Sequence, residues 1–100
     1  MILYNVTVKI ETAIHQDWLQ WMKNVHIPEV MQTGIFTENR ICRILGEDEK
    51  EGVTYAVQYL CPDLTAFQRY QQEFAARLQA DHRERYHDRY VAFRTLMEVI

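Results

Sequence analysis

Glycine, proline and cysteine are all scarce in this chain of 100 residues, at three, two and two. So few breakers leave no glycine loop that could cradle a phosphate, no linker and no low-complexity run. A second domain and a long disordered segment are both disfavoured. Basic charge is also short: 11 Lys and Arg stand against 14 Asp and Glu, a net charge of −3. Such a chain has no whole-molecule field to draw in a phosphate backbone, which speaks against nucleic acid. No apolar run approaches ~18 residues, so no membrane-spanning helix is expected. The first residues, Met1 to Lys9, lack the basic start and unbroken apolar stretch of a signal peptide. A cytoplasmic location is the expectation.

What the chain does have is ordinary globular material, 48% hydrophobic and 25% charged. One hundred residues suffice for a single domain (1–100) with one two-layer core. The order of its periodicities is the informative part. Ile2, Tyr4, Val6, Val8 and Ile10 alternate with Leu3, Asn5, Thr7 and Lys9, a half-buried strand. Ile14, Trp18, Trp21, Met22 and Val25 then follow helical spacing, with Thr12 as N-cap. Pro28 should break or kink that helix, and Gly34 suits its left-handed end. Residues 35–45 alternate loosely as an edge strand, 46–52 form a charged hairpin loop, and Val53, Tyr55, Val57 and Tyr59 mark another strand.

A second helix starts at Pro62-Asp63, its buried line being Leu64, Phe67, Gln71, Phe74, Leu78 and His82. Residues 81–89 look like a solvated helix end and loop. A last strand runs from about Tyr90 to Ile100, with Val91, Phe93, Met97 and Val99 opposed to Arg94 and Glu98. The order β-α-β-β-α-β predicts an α+β, ferredoxin-like plait: a four-stranded antiparallel sheet with two helices on one face. The bare face would carry Asn5, Thr7, Lys9, Thr54, Gln58 and Arg94, with Leu3, Ala56, Leu60 and Leu96 among them. Too apolar for water and too polar for a core, it predicts a homodimer formed through the sheet. In the hairpin, positions summing to about 98 should face each other, so Cys42 lies opposite Ala56 and Cys61 opposite Thr37, too far apart to bond.

His26 is the best chemical candidate. It lies at the border of the apolar stripe, just before Pro28, where an imidazole of unperturbed pKa ~6.5 can act as a general base. The plainer alternative is a histidine that packs or caps at a kink. Tyr4, Tyr55 and Tyr59, on the helix side of the central strands, either pack in the core or line a cavity with His26; Trp21 carries the same two options. Arg94 can bind a carboxylate or phosphate, or pair with Glu38 or Glu98 across a subunit interface, which is the simpler role. Spacing disfavours a metal: His15 and His26 lie about 16 Å apart along a helix, and His82 and His87 are off the i, i+4 geometry. No cofactor motif, no Ser/Cys-His-Asp arrangement and no standout carboxylate pair is present. An RNA-recognition reading would need stacking aromatics on the bare face, and Tyr55 and Tyr59 point the other way.

The segments Trp21, His26-Ile27-Pro28-Glu29-Val30, Thr33-Gly34-Ile35-Phe36, Gly52-Val53-Thr54-Tyr55 and Phe93-Arg94-Thr95-Leu96 resemble a family of short, uncharacterised bacterial proteins of unknown function. The likeness covers nearly the whole chain. More distantly, the aromatic followed by His-x-Pro and a strand-opening glycine is similar to the dimeric α/β-barrel superfamily. That group includes cofactor-independent monooxygenases, EthD-like proteins and muconolactone-isomerase-like enzymes. The resemblance implies two plaits packed sheet to sheet, each with a pocket lined by His26, Trp21, Tyr4 and Tyr55. Proton abstraction by His26 from an acidic aromatic or polyketide-like substrate would follow. The alternatives are a non-catalytic ligand-binding or regulatory module and a purely structural dimerisation module.

Overall fold

The computed structural model describes residues 1–100. Strands β1 (Ile2–Glu11), β2 (Glu38–Arg43), β3 (Gly52–Cys61) and β4 (Tyr90–Glu98) form one antiparallel sheet in the order β2-β3-β1-β4. Helical segments α1 (His15–Trp21), α2 (Ile27–Met31), α3 (Leu64–Tyr70) and α4 (Ala76–Arg85) make two long helices over one face. This is the ferredoxin-like α+β plait that the periodicities predict. The hairpin register is also as expected, with Cys42 opposite Ala56 and both cysteines free.

Each long helix departs from 3.6-residue spacing at its middle. Met22–His26 joins α1 to α2 as a π-helical turn, and Gln71–Ala75 joins α3 to α4 in the same way. The Ile27 amide donates to the Met22 carbonyl, five residues back. Pro28 follows immediately, in the first turn of α2. It has no N–H to give to Asn24, and its ring would crowd that carbonyl in a regular helix. The wide turn accommodates it, so the expected break at Pro28 does not occur and the helix runs on to Met31.

A π-turn inserts one residue and moves everything after it round the helix axis. The first turn accompanies a departure from the expected stripe, Val25 being exposed while Ile27 and Val30 are buried. On the second helix Gln71 is exposed, Tyr70 and Ala75 are buried, and Leu78 is buried as expected. Leu64, in the first turn of α3, is exposed as well. Thr12 does not cap the first helix; its hydroxyl donates to the Glu49 carbonyl and pins the β2–β3 loop. Asp63 does cap the second, its carboxylate accepting from the Ala66 amide at 2.8 Å. Residues 81–85 continue α4; His82 is buried, as its place on the expected line implies, and Tyr86 is buried rather than solvated.

The largest correction concerns β4. Tyr4 pairs with Leu96, Val6 with Arg94, Val8 with Ala92 and Ile10 with Tyr90. Directly opposed residues share a face, so Arg94 and Leu96 lie on the helix side, not on the bare side. Val91, Phe93 and Met97 point outward and are exposed, Phe93 by 63%. They flank a polar ladder at the sheet centre, where Asn5 donates to Thr7 and Gln58 donates to Asn5.

Candidate functional site

A cavity of about 40 Å³ lies between the helices and the β1/β4 side of the sheet. Alternation along β1 sends Tyr4, Val6 and Val8 into it, and β4 adds Tyr90, Ala92 and Arg94. The first π-turn brings Met22 and His26 to its roof, and α4 brings Leu78, Gln79 and His82. Tyr59 and Tyr70 close it. A space of this size admits a water or two.

His26 is held at the end of the π-turn with its ring stacked on Trp21, centroids 4.9 Å apart. Its Nδ1 is buried and has no hydrogen-bond partner, the one buried side-chain polar atom in the chain so left. Burial lowers its pKa to about 4, opposed in part by the Asp81 carboxylate. At neutral pH the ring is therefore uncharged. His82 stands 5.9 Å away, edge to face. Burial, then His26 and Arg94, bring its pKa to about 4 as well. The Trp18 indole N–H donates to His82 Nε2 at 2.9 Å, which places the His82 proton on Nδ1.

Arg94 sits on the edge strand, more than a third exposed, at the mouth of the cavity. Its Nε donates to the Tyr4 hydroxyl at 3.1 Å. Burial raises the Tyr4 pKa despite the guanidinium beside it, and raises those of Tyr59 and Tyr70 further. All three phenols stay protonated and can donate.

Of the residues singled out from sequence, His26, Tyr4 and Arg94 meet on this cavity. Trp21 and Tyr55 do not line it. Trp21 backs His26 from outside, with the Arg85 guanidinium 5.5 Å from its ring. Tyr55 packs on Trp18 and bonds His15 at 2.9 Å, one residue pair nearer the β2–β3 loop. Of the two carboxylates expected to pair with Arg94 across an interface, Glu98, opposite Ile2, shares its face and Glu38 does not. Glu38 pairs with Leu60, and Leu60 with Leu3, all on the opposite face. Tyr59, expected either in the core or on a cavity with His26, lines it, whereas sequence reasoning missed His82, Tyr70 and Gln79 as cavity residues. His82 stood on the expected buried line, and a titratable group on such a line was the available signal. No group of three or more His, Cys, Asp or Glu gathers anywhere to hold a metal.

No curated protein matches the sequence. Among solved structures, an EthD family protein from Bacillus halodurans is similar at 14% identity, with a TM-score of 0.70 and full coverage of both chains. SnoaB, a cofactor-independent oxygenase from Streptomyces nogalater, is similar at 11% identity and a TM-score of 0.69, over 98% of this chain and 92% of its own. A dimeric ferredoxin-like protein from an uncultured marine organism is similar at 13% identity and a TM-score of 0.61, over 98% of each. These likenesses establish the ferredoxin-like fold. The chain belongs to the family described as a domain of unknown function (DUF4286), whose model matches residues 1–100.

Proposed function

We propose that this member of a family without an assigned activity is a homodimer that binds a small acidic molecule between helices and sheet, with His26 as the proton acceptor. The observation that carries the reading is the unpartnered, buried Nδ1 of His26 on a cavity that also holds Arg94 and four phenols. Buried polar atoms are otherwise satisfied, and an orphan on a cavity wall is a position waiting for a partner. Apart from the mouth arginine, the ring walls suit an aromatic body. Proton removal by an uncharged imidazole, next to a cation that stabilises the resulting anion, is the first step of cofactor-independent oxygenation and of isomerisation alike.

The cavity is too small for a ring as it stands, so binding widens it. The two π-turns flank it and are the segments best placed to yield. A pKa of about 4 makes His26 a weak base at neutral pH, which favours the alternative of a non-catalytic ligand-binding or regulatory module over rapid turnover.

Two copies pack sheet to sheet, covering Phe93, Val91 and Met97. No helix is long and apolar enough to cross a membrane. Inward tyrosines and net charge −3 argue against nucleic acid, and two free thiols fit the reducing cytoplasm of a bacterium.

Native mass spectrometry of purified dimer tests the reading. A small molecule retained by the wild type and lost in His26→Gln supports it. Equal retention by a folded His26→Gln variant removes His26 from the site.

A further inference from the structure

Five arginines make side-chain hydrogen bonds, and they divide into two kinds. Arg43 is paired with Glu49, Arg69 with Glu73 and Arg89 with Glu11, each against a carboxylate. Arg85 and Arg94 instead bond a phenol, Tyr86 and Tyr4 respectively, and of these two only Arg94 lines the cavity. Its one bond is from Nε to the neutral Tyr4 hydroxyl, and its two terminal nitrogens donate to nothing. That bond ties the guanidinium to the rim of the cavity while leaving its forked end free. In a chain of net charge −3, an arginine left without a counter-ion beside a cavity is a position with an anion missing.

We propose that Arg94 and the Tyr4 hydroxyl form a seat for the single oxyanion of a weakly acidic phenol or enol. This rests on the cavity being a ligand site and names the class of ligand it takes. Arg94 is the only Arg, Lys, Asp or Glu among the lining residues. One cation and neutral hydroxyls match a monoanion; a phosphate dianion would be left half neutralised. The aromatic walls, Tyr4, Tyr59 and Tyr70, ask for a planar organic body behind that oxygen. When the keto tautomer of such an enol gives its α-proton to His26 Nδ1, the C–H electron pair stays on the ligand and delocalises to the oxygen facing Arg94. The imidazole then carries the proton, and no oxidant is involved in this step.

p-Nitrophenol is a suitable probe, because only its phenolate absorbs in the visible. It is titrated with protein below its own pKa, and the proton it loses goes to the buffer. The wild type should turn the bound probe to phenolate. Arg94→Gln should weaken phenolate binding about tenfold to a hundredfold, the usual loss for a hydrogen-bonded charge. Arg94→Lys should restore part of it, and Arg69→Gln should change nothing. Circular dichroism confirms that each variant is folded. If Arg94→Gln ionises the probe as well as the wild type does, the oxyanion seat is wrong and the ligand cavity stands. If neither form of the probe binds the wild type, the reading of the cavity itself falls.

Discussion

His26 and His82 share one cavity wall, and both are held far below the ordinary histidine pKa of 6.5, at about 4, chiefly by burial. The unfolded chain therefore takes up protons first as the pH falls. Stability is complete above pH 6.5 and declines as the pH drops from 6.5 towards 4. Each imidazole can contribute on the order of 3 kcal/mol to that loss, less than additively because the two interact. Urea midpoints should be flat from neutral to mildly basic pH and fall steeply below 6.5, with a shallower fall in His82→Gln. A midpoint independent of pH over that range would mean that both rings reach solvent. His26 was legible in sequence because it stands at the border of an apolar stripe. Arg94 was misplaced for a physical reason. The outward residues of β4, Val91, Phe93 and Met97, are more apolar than the inward ones, so hydropathy alone turns the strand over. Where the outward side chains of a strand are the more apolar set, the rule that apolar means inward loses its sign.

At the scale of elements, strand order and hairpin register were readable because side chains alternate strictly along a strand. The helices were readable in extent but not fully in phase. No residue type announces a π-turn; beyond the first, Ile27 and Val30 are buried where Val25 was expected, while beyond the second Leu78 and His82 keep the expected line. Pro28 hinted at the first, and nothing in Gln71–Ala75 hints at the second. If these turns yield when the cavity fills, amide hydrogens of residues 22–27 and 71–76 should exchange faster than those of α4 in free protein and slow on adding p-nitrophenol. Uniform exchange along both helices, unchanged by the probe, would leave the widening without a place to happen. The Asp63 cap belongs to this scale too. Asp63→Ala frees the Ala66 amide and should lower stability by about 1 kcal/mol in urea unfolding. A loss near zero would mean that water replaces the carboxylate.

The whole molecule leaves one sheet face bare, with Phe93 63% and Val91 67% exposed on its outer strand. Large apolar side chains grouped there are what a partner sheet would cover. Phe93→Glu should convert a dimer to a folded monomer at micromolar concentration by light scattering; a wild-type monomer would remove the need for a partner. The ligand cavity lies on the other side of the sheet, so such a monomer should still carry it. The account turns on the lone pair of His26 Nδ1, and imidazole ¹⁵N NMR observes that atom directly. In free protein at neutral pH, Nδ1 should resonate as an unprotonated nitrogen without a hydrogen bond, and it should shift on titration with p-nitrophenol while Trp21 and the fold stay in place. A His26 whose Nδ1 already carries the proton, or whose nitrogens do not move while the probe binds, would contradict the account.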